Sequence, residues 1–258
     1  MGVERVNVLG VGVSAINMGQ ALQIIDDWVA KGERQYVCVT GVHGVMESQR
    51  DPELRRIHNR AGLVTPDGMP LVWISHLRGQ RHVRRVYGPD LLLAVCEHSA
   101  GLGYRHFFYG GEPGVADALA LRLQERFPGL VVAGTYSPPF AVVTAEEDAR
   151  INDMIAKSGA DVVWVGLGTP KQERWMGAHA GKAGSAVMIG VGAAFDFHAG
   201  RKRQAPPWMQ RSGLEWLFRL LMEPRRLWRR YLVNNPQFVL LTTLQLIGLR
   251  RYPLELEE

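Results

Sequence analysis

The chain has 258 residues, 47% of them hydrophobic, with two cysteines and a formal net charge of +5. That composition excludes a disordered protein and suits one large α/β domain, alone or with an appendage; Cys38 and Cys96 are too few and too separated for a disulfide framework or a metal cluster. The opening MGVERVNVLGVGV lacks the basic segment and long apolar run of a secretory signal, and Val6 argues against myristoylation, so a reducing, cytoplasmic setting is expected.

In chain order, RVNVLGV, QYVCVT, GLVT, YRHFFYG, LVVAGTY, ADVVWVGLG and SAVMIGVG read as strands, rich in Val, Tyr and Phe and punctuated by Gly. Amphipathic stretches such as NMGQALQIIDDWVAKG and VADALALRLQERFPG lie between them and end on Gly or Pro-Gly. Alternation of this kind predicts a Rossmann-like, largely parallel sheet with helices on both faces, whose ligands gather at the carboxyl ends of the strands. After FDFHAGRKRQAPPW the strand signal stops, and two or three helices broken at Pro224 and Pro236 are expected. The reading is therefore an α/β core over residues 1–205 and a helical appendage over 206–258. Residues 201–258 carry 11 Lys and Arg against 5 Asp and Glu, whereas residues 1–200 carry 19 against 20. The basic excess of the tail points to an anionic partner.

Several short motifs sit at predicted strand ends. NVLGVGVSA places Gly-x-Gly after a strand, but Ala15 stands where a dinucleotide loop wants its third Gly, and the next strand lacks the acid that would bind a ribose. In VTPDGMPLVW, Asp67 follows a short strand among apolar neighbours; it is either a helix cap or a carboxylate placed for general-base work on a hydroxyl. VYGPDLL reads as a helix start at which Asp90 caps. In FFYGGEPG, Gly110 and Gly111 lead into a helix whose N-terminal amides suit a phosphate or a sugar, without the Lys-Ser/Thr of a P-loop. VGLGTPKQERW brings Gly166, Gly168, Pro170, Gln172 and Glu173 to one strand end, a combination that capping alone does not explain. Asp196 and His198 repeat the scheme one strand later in IGVGAAFDFHAG. No Asp-x-Asp pair or metal-ligand spacing occurs, so a leaving diphosphate would rely on arginines or helix N-termini. In the tail, Arg219, Arg225, Arg226, Arg229 and Arg230 alternate with Trp216, Phe218, Trp228 and Tyr231. FVLLTTLQLIGL is shorter than the ~20 residues that cross a bilayer, which suits a segment lying flat on an anionic membrane surface.

Together VTPDGMPLVW, VYGPDLL, VGLGTPKQERW, IGVGAAFDFHAG and GLEWLFRLLMEPRRLWRRY resemble the WecG/TagA/CpsF family of bacterial glycosyltransferases, glycosyltransferase family 26, over nearly the whole chain. The resemblance implies an inverting, metal-independent enzyme without a cofactor. Its donor would be a UDP-sugar of the N-acetylmannosamine type or a related uronic acid, and its acceptor a polyprenyl-diphosphate-linked sugar at the inner face of the cytoplasmic membrane. It further implies a role in teichoic acid, enterobacterial common antigen or exopolysaccharide assembly, a homo-oligomer and no nucleic acid partner. Asp67 then falls on the family's base. Thr40, Gly110, Gly111, Gly166, Gly168, Pro170, Gln172, Glu173 and Asp196 fall on the donor side, and His43, Arg85, Asp90, Arg219, Arg226 and Arg229 on the acceptor and diphosphate side. Gly41 stands where many members carry Asn, so either Thr40 or His43 takes over that contact or the donor differs. Two other classes are weighed against this one: a nicotinamide-dependent Rossmann oxidoreductase, disfavoured by the incomplete glycine motif, and a nucleic-acid-binding module, disfavoured by the aromatic and aliphatic content of the tail.

Overall fold

The computed structural model describes residues 3–138, 144–182, 184 and 186–255. In chain order its elements are β1 (Arg5–Val8), β2 (Val11–Ser14), α1 (Met18–Lys31), β3 (Tyr36–Thr40), α2 (Val42–Arg50), α3 (Pro52–Arg60), β4 (Leu63–Pro66), α4 (Met69–Leu77), α5 (Gly88–Ser99), β5 (Arg105–Gly110), α6 (Val115–Arg126), β6 (Val131–Tyr136), α7 (Ala145–Ser158), β7 (Val162–Gly166), α8 (Lys171–His179), β8 (Val187–Gly190), α9 (Ala194–His198), α10 (Pro207–Arg211), α11 (Glu215–Met222), α12 (Pro224–Leu232) and α13 (Asn234–Leu246). They form an α/β fold with a six-stranded sheet, a two-stranded hairpin and C-terminal helices. Two compact units divide the chain: Met1–Asn17, Thr40–Val86 and Gln204–Glu258 make the first, and Met18–Val39 with Tyr87–Arg203 the second.

The first unit begins with a departure from the sequence reading. RVNVLGV is not one parallel strand followed by a turn into a helix: β1 and β2 pair antiparallel, with Val8 opposite Val11. Leu9 and Gly10 both take left-handed backbone, at φ 53° and 82°, as a two-residue type I′ turn requires. Leu is a poor residue for that conformation, and polar side chains hold it there. Asn7 Oδ1 accepts from Gly10 N at 2.8 Å, Gln245 Oε1 accepts from Leu9 N at 3.0 Å, and Gln49 Nε2 donates to Leu9 O at 2.6 Å. Gly10 and Gly12 thus shape a hairpin and open no helix, so the geometry of a dinucleotide loop is absent there.

The tail forms a further helix beyond those expected, and its prolines begin helices where breaks were predicted. Pro224 opens α12 and Pro236 lies in the first turn of α13, positions whose N–H groups have no intrahelical partner to lose. Asn234, Phe238 and Thr242, spaced four apart on α13, are buried, while Val239 and Leu240 on other faces are exposed. Buried Asn234 accepts from Arg50 of α2 at 2.7 Å, and Asn7 donates to the carbonyl of Tyr252 at 2.7 Å. Among the described residues no helix is long and apolar enough to cross a membrane.

Five of the six sheet strands belong to the second unit, in the order β3-β8-β7-β5-β6, and every pairing among them is parallel. The continuous apolar runs of β5, β7 and β8 are buried throughout except at their ends, as strands covered on both faces must be. A chain of polar groups runs through this core. Trp164 Nε1 donates to His106 Nδ1 at 3.0 Å, which leaves the proton on Nε2 to bond Ser99 Oγ at 2.8 Å, and Ser99 in turn donates to the Cys96 carbonyl at 3.2 Å. Protonating Nδ1 would set two donors face to face, and burial holds the His106 pKa down at about 4 against an ordinary 6.5. The neutral ring is the folded form, so the full stability is present above pH 6.5 and is lost as pH falls towards 4. At pH 5 the loss is expected to be about 2 kcal/mol, read by chemical denaturation, and a His106→Gln variant should lack that part of the acid dependence.

Candidate active site

Asp67 follows β4 and precedes α4, in the first unit. The capping reading of this residue is not what the structure shows: Gly68 occupies the N-cap position of α4, and no side chain caps that helix. Main-chain bonds fix Asp67 instead. Its N–H donates to the Thr40 carbonyl at 3.0 Å, and the preceding Pro66 carbonyl accepts from Val86 N at 2.9 Å. Arg85 Nε donates to the Asp67 carbonyl, and the same guanidinium pairs through Nη2 with Glu215 of α11. With donor and acceptor of its peptide groups engaged, Asp67 is set on the end of its strand by Thr40, Arg85 and Glu215 together, and its side chain is half-buried.

Gly41 faces that carboxylate. Its backbone is extended, φ −110°, so nothing about the conformation requires glycine. A Cβ added there would meet only Asp67 Oδ2, at 3.7 Å, which is ordinary contact distance. The missing side chain therefore leaves space beside the acid. His43, two residues on, is 3.4 Å from Asn234 Nδ2 and 3.7 Å from Glu47 Oε1, so its Nδ1 is turned to α13 and to its own helix.

The arginines of the tail take different positions. Arg219 is half-buried on α11. Arg226 is exposed and pairs with Glu223 at 2.5 Å, while Arg229 is exposed with its guanidinium 5.5 Å from the Trp228 ring. Arg230, which the family motif does not single out, is half-buried, with its Nε inaccessible to solvent. Its signal was available in the sequence: Leu227 and Tyr231 are the buried residues of α12, and a residue three after the first and adjacent to the second lies on their stripe.

In the second unit, the β7 end and the start of α8 bring together most of the predicted donor residues. The Thr169–Pro170 peptide is cis. Gln172 and Glu173 are buried, though both lie in the first turn of a helix. Gln172 Oε1 accepts from Gly168 N at 3.1 Å and its Nε2 donates to Glu173 Oε1 at 3.1 Å, an oxygen that also accepts from Thr169 Oγ1 at 2.9 Å. Glu173 Oε2, also buried, has no hydrogen-bond partner among the described residues. A buried carboxylate oxygen left open in a cluster of oriented amides and hydroxyls is a position for a donor group of a ligand.

Glycines along the same strand ends answer to packing. Gly110 has φ 128°, and a Cβ there would lie 2.6 Å from the Gly166 carbonyl carbon; one on Gly166 would lie 2.7 Å from the Phe195 ring. Gly111 N donates to Gly166 O at 3.1 Å, so Gly110, Gly111 and Gly166 bring β5 and β7 together, whereas Gly168, φ 76°, has open space beside it. Asp196 pairs with Lys202 at 3.0 Å, and its carbonyl accepts from the amides of residues 201 and 202. Asp90 is exposed in the first turn of α5, whose N-cap is Tyr87, so it does not cap that helix. His198 Nε2 bonds the Pro89 carbonyl at 2.9 Å, and burial lowers the pKa of this ring. No three His, Cys, Asp or Glu side chains among the described residues come together as a metal site.

A half-buried carboxylate with its main chain fixed, beside the gap left by Gly41, is an arrangement that can accept a proton from a hydroxyl. Comparison with known proteins decides the class. The family described as Glycosyl transferase WecG/TagA/CpsF matches residues 6–252. The chain belongs to this glycosyltransferase family. Relatives named N-acetylglucosaminyldiphosphoundecaprenol N-acetyl-beta-D-mannosaminyltransferase include one from Bacillus spizizenii, 33% identical over 193 residues, covering 75% of this chain and 72% of the relative. The Bacillus subtilis relative of that name is 29% identical over 74% of this chain and 72% of its own length. One from Staphylococcus aureus is 27% identical over 228 residues, 87% of each protein. With the family established, the chain is a glycosyltransferase, and the oxidoreductase reading falls with the hairpin geometry of Gly10 and Gly12.

Proposed function

We propose that this glycosyltransferase moves a sugar from a UDP-activated donor to a sugar carried on a polyprenyl diphosphate, with inversion at the anomeric carbon and without a metal ion. The observation that carries the reading is the fixed Asp67 with open space beside Oδ2. Asp67 takes the proton of the acceptor hydroxyl as that oxygen bonds to the anomeric carbon. The bond from that carbon to the donor diphosphate breaks in the same step, and the electron pair leaves with UDP. A single displacement of this kind inverts the centre and leaves the proton on Asp67. Arginines of the tail hold the charge that builds on the leaving phosphates. The names of the relatives support N-acetylmannosamine as the donor sugar and an N-acetylglucosamine-bearing lipid as the acceptor.

The tail supports work at the inner face of the cytoplasmic membrane. Trp208, Leu221, Met222 and Trp228 are exposed on the same stretch as Arg211, Arg225, Arg226 and Arg229, the pairing of apolar and cationic groups that enters an anionic lipid interface. The test is a transfer assay with full-length protein, anionic vesicles, a short-chain polyprenyl diphosphate bearing N-acetylglucosamine, and a panel of UDP-sugars, with products read by mass spectrometry. A lipid-linked disaccharide is expected with UDP-N-acetylmannosamine or a related UDP-sugar. No product with any donor would overturn the reading.

A further inference from the structure

Helix α4 has two faces, and the fold uses one of them. Leu71, Val72, Ile74 and Ser75 are buried, whereas Trp73 is 47% and Leu77 71% exposed. Four residues apart, these two side chains share one stripe and present an aromatic and an aliphatic group to solvent together. Arginines follow at once. Arg78, Arg81 and Arg84 are exposed, none is in an ion pair among the described residues, and residues 68–89 contain no Asp or Glu. One acid reaches this segment from the start of the chain: Glu4, which bonds Gln80. The segment itself is held by its own bonds. Gln80 N donates to Ser75 O at 2.9 Å, His76 Nε2 bonds the Val83 carbonyl at 2.8 Å, and His82 Nε2 bonds the Ala15 carbonyl at 2.8 Å, so the cations stand on a fixed loop. Trp73 also joins the stripe to the tail. Gly213, in the turn between α10 and α11, has φ 75°, and a Cβ there would lie 2.9 Å from Cη2 of the Trp73 ring. The ring thus lies against that turn, and the helix before it, α10, exposes Trp208 and Arg211.

We infer that α4 and residues 78–84 form a second lipid-contact surface, on the body of the first unit and outside its tail, whose partner is the headgroup and upper acyl region of an anionic bilayer. Tryptophan and leucine enter that region, and arginines meet the lipid phosphates. Charge decides against the other occupant, a second copy of this chain. A two-fold interface sets a patch against its own image, which here brings arginine against arginine with no acid from residues 68–89 between them. The proposal deepens the membrane placement given above and rests on it only for the continuity with α10. It also bears on the reaction. Helix α4 starts two residues after Asp67, and a rise of 1.5 Å per residue carries Leu77 only about 12 Å beyond Met69. Docked through Trp73 and Leu77, the helix holds the proposed base close to the headgroups, where the diphosphate of a lipid-linked sugar lies.

The test uses full-length protein carrying Leu77→Ser, Arg78→Gln and Arg81→Gln together, three exposed positions outside the proposed sugar-transfer site. Melting is expected to match the parent. Affinity for vesicles of phosphatidylglycerol and phosphatidylcholine, by co-sedimentation, is expected to fall about tenfold or more, since each arginine at an anionic surface and each apolar side chain entering it adds to binding. Parent-like vesicle affinity overturns the proposal. So does a parent oligomer, seen by analytical ultracentrifugation without lipid, that the variant dissociates while vesicle affinity holds, because the surface then belongs to a second copy. Should the variant melt below the parent, Leu77→Cys decides. Cys38 and Cys96 are buried, so an environment-sensitive fluorophore labels position 77 alone. A blue shift of its emission on adding the vesicles upholds the surface, and unshifted emission sinks it. None of these measurements needs a sugar substrate. Vesicle binding that depends on Leu77, Arg78 and Arg81 in a protein that transfers no sugar would keep the surface and remove the transferase substrates; sugar transfer by a protein whose triple variant binds vesicles as the parent does would do the opposite.

Discussion

Asp67→Asn is expected to fold as the parent does and to transfer sugar about 10² to 10⁴-fold more slowly, the range that a positioned general base contributes. The side chains are almost the same size, and the bonds that set this residue in place are main-chain ones: its N–H to Thr40 and its carbonyl from Arg85. Neither depends on the carboxylate, so the substitution removes the charge at Oδ2 and leaves the main-chain bonds in place. Circular dichroism and melting should coincide with the parent, and donor affinity measured with UDP should hold, while kcat falls. Raising pH should not restore turnover, because an amide has no proton-accepting form to recover. A variant that transfers at the parent rate would show that the base lies elsewhere, whatever the fate of the family assignment.

What the sequence revealed about this site, and what it hid, follows from the range of the interactions. Strand ends and helix starts are local, so the alternation of apolar runs and Gly-rich turns located the sheet, and Asp67, Gln172 and Glu173 stood out as polar residues where a parallel sheet collects ligands. Gln172 has room to turn inward because of Gly190 and Gly192, distant in sequence, where an added Cβ would meet the Gln172 amide at 3.0 Å and 3.3 Å. No local pattern carries that information. Hairpin β1–β2 was hidden for a related reason: Leu9-Gly10 is a weak turn sequence, and Gln49 and Gln245, which hold the turn, come from far along the chain. Arg230 was legible in part, since helical spacing puts it beside the stripe of Leu227 and Tyr231; that its buried Nε has no hydrogen-bond partner is a property of the packed unit alone.

Glu215 is the residue through which the tail reaches the base, and removing its charge is expected to be costly. The side chains of Glu215 and Arg85 are 13% and 15% exposed, and Arg85 in turn bonds the Asp67 carbonyl. Breaking a largely buried pair by removing one member costs about 3–5 kcal/mol, because the remaining charge loses its counter-ion without regaining water. Glu215→Ala should therefore lower the melting temperature and also slow transfer by about tenfold or more, since a guanidinium without that anchor no longer holds the Asp67 carbonyl in one place. The charge-swapped protein, Arg85→Glu with Glu215→Arg, separates the two effects. It restores opposite charges between the same positions, so stability should recover in part; a glutamate at position 85 cannot donate to the Asp67 carbonyl, so turnover should stay low. Recovery of both together would mean that the pair supports the fold only, and recovery of neither would mean that the geometry of the original pair, and not its charge, is what the first unit needs.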